Sequence, residues 1–295
     1  MPKIPKTIEE QIALLQSRNM SFGNMSDAPH YLANISYYRL KGYWWEMQDD
    51  NVNHHFRDGS LFEDVIDLYN FDRNFRLIVF NAIERIEIAL RTKLIYHLSL
   101  AHGAEWYLNA SLFDNADKFA SFVTKVRNDM NTSSEEFIVK HFENHPNENP
   151  ESWKALEVLT LGTLSKLYKN LKHQLPEKNK ISTEFGLYNQ RYLASWLLAI
   201  TVLRNIIAHH GRLWNRVLIN RYEWPNSTPS PILSNVPNNR SKIFPILSAI
   251  IYMNNAISPG HNIKNELIAL FDKHPKVPLR RMGFPENWQN EPIWD

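Results

Sequence analysis

Residues 61–100 read LFEDVIDLYNFDRNFRLIVFNAIERIEIALRTKLIYHLSL. Their apolar positions Leu61, Val65, Leu68, Tyr69, Phe75, Ile78, Val79, Ala82, Ile83, Ile86, Leu90 and Leu94 keep helical spacing throughout. A half-buried strand would instead alternate with a period of two and favour Val and Thr. The stretch predicts one long helix, or two with a bend near Phe71-Asp72.

The same period reappears on either side. Residues 6–18 predict a short amphipathic helix. Ser26 and Asp27 stand as caps before a segment carrying Tyr31, Leu32, Ile35, Tyr38 and Leu40, which Gly42 is expected to end. Further on, Trp153–Leu171 predicts a helix softened at Gly162, and Leu187–Leu218 a long one. Phe244–Ala256 and Asn265–Phe271 predict two shorter helices. With only nine glycines in 295 residues, the expected fold class is all-α, a helical bundle with additional N- and C-terminal helices.

Composition sets boundaries within the chain. Residues 1–24 form an N-terminal helical extension, 25–220 the main helical domain, and 221–295 a Pro-rich connector followed by a C-terminal helical extension. A looser stretch, 101–150, ends in HFENHPNENPES, the best candidate for an exposed loop between helical halves.

The absence of cysteine excludes disulfides, thiolate metal sites, iron–sulfur clusters and cysteine nucleophiles. No run of about eighteen apolar residues occurs, and Glu9 and Glu10 interrupt the N-terminus where a signal peptide needs an apolar stretch. The expectation is a cytoplasmic protein that neither enters nor spans a membrane. A formal net charge of +2 neither points to nucleic acid nor argues against it.

Phosphate-loop, dinucleotide, zinc-hydrolase and serine-hydrolase signatures are all missing. His54-His55 has no third ligand at a defined spacing, so no metal site and no cofactor are expected. What remains is Arg204-Asn205-Ile206-Ile207-Ala208-His209-His210. On a continuous helix, with Arg204 at zero, Asn205 falls near 100°, His209 near 140° and His210 near 240° (about 100° per residue). Asn205 and His209 then share a polar face, with Arg204 on its flank, while His210 turns toward Leu203, Ile206 and Ile207. Such a trio suits RNA cleavage by internal attack of the 2′-hydroxyl: histidine moves a proton and guanidinium stabilises phosphoryl charge. Full acid–base catalysis wants a second proton-transfer group, which a second subunit would supply. The competing reading is structural, since Arg and His in helices commonly cap neighbours or pair with acids.

Several blocks in order resemble the abortive-infection proteins of the AbiD/AbiF type, a bacterial branch of the HEPN superfamily. They are Ser36-Tyr37-Tyr38-Arg39-Leu40-Lys41-Gly42-Tyr43, Leu68-Tyr69-Asn70-Phe71-Asp72-Arg73, Glu84-Arg85-Ile86-Glu87 with Arg91, Trp153 with Glu157, and Arg204-Asn205-x3-His209. The resemblance spans roughly residues 25–220. It implies an α-helical bundle and a homodimer that juxtaposes two Arg-x4–6-His motifs. It also implies metal-independent endoribonuclease activity in phage defence or a toxin–antitoxin system, with Arg204, Asn205 and His209 as catalytic residues. His210 satisfies the looser spacing too, and the wheel selects His209. Implied partners are an RNA substrate and a small noncoding RNA or antitoxin.

Other residues are weighed beside the motif. Tyr38, Arg39 and Lys41 interleave basic and aromatic groups in a way that suits single-stranded RNA; core aromatics with surface cations is the alternative. Arg85 and Arg91 are candidate RNA contacts, or partners of Glu84 and Glu87 along one helix flank. Lys166, Lys169, Lys172 and His173 make a modest basic stripe. Met282-Gly283-Phe284-Pro285 and Trp288 are read as structural. Against a ribonuclease stand three alternatives: a catalytically inactive RNA-binding or interaction module, a toxin silenced by its partner, and a purely structural helical protein.

Overall fold

The computed structural model describes residues 4–50, 52–219, 222–237 and 240–295. Its helices are α1 (Ile8–Ser17), α2 (Ala28–Ile35), α3 (Tyr37–Trp44), α4 (Phe62–His102), α5 (Ala116–Asn131), α6 (Glu136–Asn144), α7 (Ser152–Ala155), α8 (Leu161–Asn170), α9 (Pro176–Glu184), α10 (Gln190–Ala208), α11 (Ile243–Ile257) and α12 (Ile263–Lys273). Among the described residues the only sheet is an antiparallel ribbon of β1 (Gln48–Asp50) and β2 (His55–Phe56). The all-α expectation holds. The chain divides into two compact units, Met1–Leu77 with Glu266–Pro278, and Ile78–Asn265 with Leu279–Asp295. Tertiary contact rather than chain order defines them, and the composition boundary at 220/221 lies outside the described residues.

In the first unit, α1 begins with a reciprocal cap: Glu10 N–H donates to Thr7 Oγ1 (3.2 Å) and Thr7 N–H to Glu10 Oε2 (2.8 Å). The segment expected as one helix ending at Gly42 is two. Ser36 adopts φ 73°, ends α2, and accepts a hydrogen bond from Arg39 N–H to start α3 (3.3 Å), which runs through Gly42 to Trp44. α3 thereby buries Leu40, Tyr43 and Trp44, while Tyr38 and Arg39 stay exposed.

The first part of α4 carries Asp72 on its buried side, among Val65, Leu68, Phe71 and Phe75. A charge there must be matched. Tyr43 Oη donates to Asp72 Oδ2 at 2.8 Å, and Arg76 Nε lies 3.3 Å away. Burial, then the Asp72 charge, push the Tyr43 hydroxyl well above the usual tyrosine range, keeping it a donor. His274 Nδ1, just past α12, meets Asp67 Oδ1 at 2.9 Å beside a Phe71–Phe75–Phe271 cluster.

The second unit is built around α11, buried from Ile243 to Asn254. A helix apolar on every side belongs in a core. The Nδ2 of its buried Asn254 donates to Ala82 O of α4 (3.1 Å) and to its own Ile250 O (2.9 Å). The C-terminal segment supplies an aromatic cover. Phe284 and Trp294 pack on Phe244, Trp288 packs on both of them, and Trp294 Nε1 donates to Ser248 Oγ at 3.2 Å.

The stretch 101–150, expected to be loose, contains α5 and α6. The break expected at Gly162 falls earlier, at 156–160, because Thr160 caps α8 and leaves Gly162 in its first turn. α10 is long and apolar enough, by length and composition alone, to cross a membrane. Its Leu193, Trp196, Leu197, Ile200, Leu203 and Ile207 are buried, and it packs with α8, α9 and α11.

Replacing Tyr43 by Phe keeps the ring packing and removes one donor from buried Asp72. Unfolding in urea should show a loss of about 1–3 kcal/mol; an unchanged midpoint would mean that the carboxylate is satisfied without the Tyr43 hydroxyl.

Candidate functional site

The long helix expected over Leu187–Leu218 stops at Ala208. Gly211 N–H donates to Ile206 O (2.8 Å) and His210 N–H to Ile207 O (2.9 Å), the paired bonds of a Schellman stop. His210 occupies the left-handed position, φ 55°, which costs a non-glycine residue about 1–2 kcal/mol. Gly211 is needed one residue later, where a β-carbon would stand 3.0 Å from Ile206 O.

This stop corrects the reason for preferring His209. His210 does not continue around the helix into the apolar side. It is exposed, like His209 and Asn205, and has turned off the helical path. His209 is the cap residue, and its N–H still donates to Asn205 O (3.1 Å). Asn205 and His209 therefore stay one turn apart on one face.

Arg204 flanks that face. Its Nε is buried, has no hydrogen-bond partner among the described residues, and lies 4.0 Å from Glu87 Oε2 on α4. Glu87 is also approached by Arg91 Nη2, at 3.3 Å. One carboxylate thus stands between two guanidiniums.

The two arginines differ in what is left over. Arg91 donates to the carbonyls of Leu156 (3.1 Å) and Leu159 (2.9 Å), freed by the break before α8, and pairs with Glu157 at 3.6 Å. Its Nε and Nη2 donors are spent on the fold. Arg204 is held by a single long ion pair and keeps donors for an incoming acceptor. Arg85 Nη1 donates to Ser258 Oγ at the end of α11 (3.0 Å), while its Nε is buried without a hydrogen-bond partner among the described residues.

Two cations that the residue pattern did not single out stand just beyond the stop. Arg212 lies over the Trp214 ring, 5.8 Å from its centroid. Arg216 donates to Arg212 O (3.3 Å), and its Nη1 comes within 3.5 Å of where a Gly211 β-carbon would be. The signal was present: a glycine after a long apolar helical run marks an end, and the chain beyond Gly211 then folds back instead of spiralling on. The carbonyl end of a helix bears partial negative charge, so cations here offset its repulsion of a phosphate.

The remaining expected residues lie in the first unit. Tyr38 is 85% exposed, Arg39 is exposed, and Lys41 Nζ sits 5.5 Å from the centroid of the Trp45 ring. Their neighbours Tyr43 and Trp44 are core residues. The block is therefore mixed, part core and part surface. His54-His55 lies in the β1–β2 hairpin, where His55 pairs with Asp49 at 3.3 Å. Among the described residues, no group of three or more His, Cys, Asp or Glu is placed to hold a metal ion.

An α-helical chain with an Arg-Asn-x3-His set at a helix end, backed by an acid-braced arginine, is the class that fold and site define. Residues 30–215 match the family described as Abi-like protein, and the chain belongs to that family. Membership points to a role in abortive infection. No curated protein and no solved structure gives a significant match.

Replacing His210 by Gly relieves the left-handed residue. Chemical denaturation should show a gain of about 1 kcal/mol. A loss instead would mean that the imidazole contributes more to the fold than its backbone costs.

Proposed function

We propose that this protein is a metal-independent endoribonuclease of abortive infection, of the HEPN type, that cleaves RNA by attack of a 2′-oxygen on the adjacent phosphorus. The observation that carries the reading is the contrast between the arginines: the Arg204 side chain makes no hydrogen bond among the described residues and keeps donors beside exposed Asn205 and His209, whereas Arg91 commits Nε and Nη2 to Leu156 O, Leu159 O and Glu87. The 2′-oxygen forms the new bond to phosphorus and loses its proton. The 5′-oxygen leaves and gains a proton, so the products are a 2′,3′-cyclic phosphate and a 5′-hydroxyl. His209 carries one of these proton transfers. Arg204 and Asn205 donate to the non-bridging oxygens, where charge develops.

His209 of a second copy performs the other transfer, which makes the active species a homodimer. Glu87 is a positioning residue: held by Arg91, it keeps Arg204 along the face of α10. Arg85, Tyr38, Arg39 and Lys41 are the further residues assigned to RNA contact. Arg91 acts through Glu87 and the loop before α8. A small noncoding RNA or an antitoxin would hold the enzyme in check. The second reading, an inactive RNA-binding module, predicts RNA affinity without cleavage.

The test is cleavage of labelled RNA in excess EDTA, with analysis of the termini. The wild type should cut and leave cyclic phosphate ends. His209→Ala should lower kcat by about 10²–10⁴, and Arg204→Ala by about 10²–10³. His210→Gly should cut normally. Equal rates for wild type and His209→Ala would remove His209 from the mechanism, and RNA binding without any cutting would favour the inactive module.

A further inference from the structure

A groove of about 830 Å³ opens in the second unit between α5 and α8, with Leu198 of α10 in its lining. α5 places Lys118 and Lys125 seven residues apart, on one face. α8 places Lys166 and Lys169 three apart. All four side chains are exposed, and the two pairs share the lining with buried Phe122 and Leu167. Lys125 is paired with Asp129. Among the described residues, no carboxylate comes within ion-pair distance of Lys118, Lys166 or Lys169. Asp114 and Asp117 also line the groove and leave the lysines in excess.

The two walls are joined rather than merely adjacent. Asn170, ending α8, donates to Asn115 O (3.1 Å) and accepts from Asn115 N–H (3.2 Å), just before α5. Asp114 N–H donates to Asn170 O at 2.9 Å. The groove therefore exists without a ligand to shape it.

Its course follows α10. A second depression of about 550 Å³ shares Asp114, Lys169 and Leu198 with the first and continues past Ser195 to Arg191. Arg191, Ser195 and Leu198 recur at steps of four and three. Continuing those steps gives Val202, Asn205 and His209. One face of the helix therefore carries the groove at one end and the candidate catalytic pair at the other. From Arg191 to His209 it is about 27 Å long (about 1.5 Å per residue).

We propose that this lysine-lined groove binds the phosphate backbone of a single-stranded RNA and presents the strand to Arg204 and His209. An elongated, connected trough with unpaired lysines and apolar lining suits a flexible polyanion with apolar base faces. A compact anion would need only one end of it. The inference rests on the ribonuclease reading for the identity of the polyanion, and adds the place where the strand is held outside the cleavage site.

The experiment measures binding of an unstructured labelled RNA by full-length His209→Ala protein, across a salt series. It is repeated with Lys118→Glu, Lys166→Glu and Lys169→Glu combined in that background, and with Lys140→Glu as an exposed control on α6. Far-UV circular dichroism and thermal melting check that the variants fold. The triple variant should raise Kd by about tenfold or more and reduce the salt slope by about 2, near 0.7 for each single-strand phosphate no longer neutralised. Lys→Arg replacements at the three positions should restore both, and Lys140→Glu should change neither. An unchanged Kd and slope in the triple variant would overturn the groove assignment, while cleavage by the wild-type histidine chain would leave the ribonuclease reading standing. Absence of both RNA binding and cleavage would remove both. Binding of polyglutamate as tight as RNA would mark the groove as a seat for an acidic protein and overturn the proposal.

Discussion

A single carboxylate, Glu87, organises the candidate site. It lies 3.3 Å from Arg91 and 4.0 Å from Arg204, and through them it links α4, the loop before α8, and the end of α10. The contact to Arg204 is long and partly exposed, the kind of ion pair worth about 0–1 kcal/mol. Its consequence is orientation rather than stability. A guanidinium held at one edge loses little freedom when a phosphate arrives, yet keeps donors to meet it. Arg91 shows the opposite use of the same side chain. With two main-chain carbonyls and two carboxylates around it, it closes a gap in the helical framework.

The second constraint is the place where α10 ends. A helix continued to residue 218 would have spread His209, His210, Arg212 and Arg216 around a cylinder. The stop formed by Ile206, Ile207, His210 and Gly211 instead leaves both histidines exposed at the tip and folds Arg216 back over Gly211. It also sets a division of labour within one helix. The buried side of α10 is spent on α8, α9 and α11. On the other side, Arg191 and Ser195 meet Glu223, and Leu198, Asn205 and His209 are exposed.

Buried polar groups in both units find partners for part of their hydrogen-bonding capacity. Asp72 meets Tyr43 and Arg76, and Asn254 meets Ala82 O. Several buried polar atoms still lack a hydrogen-bond partner among the described residues, Arg76 Nε and Asn254 Oδ1 included, and two of them are the Nε atoms of Arg204 and Arg85. One is beside the histidine motif. The other, on α4, is held at its far end by Ser258.

What the sequence determined by itself was local. The period of residues 61–100 specified the longest helix, because side-chain spacing along a helix depends only on neighbours three and four apart. The spacing of Asn205 and His209 put them on one helix face for the same reason, and the pairing of Glu87 with Arg91 was legible as an i,i+4 spacing. Tertiary structure alone decided the rest. That Glu87 faces Arg204 joins residues 117 positions apart on different helices. That Lys118 and Lys169 line one groove depends on how α5 meets α8, which Asn115 and Asn170 settle. The end of α10 lies between the two cases. Gly211 announced it locally, but the left-handed backbone it required was taken by His210, and only the folded chain reveals which residue bears that strain.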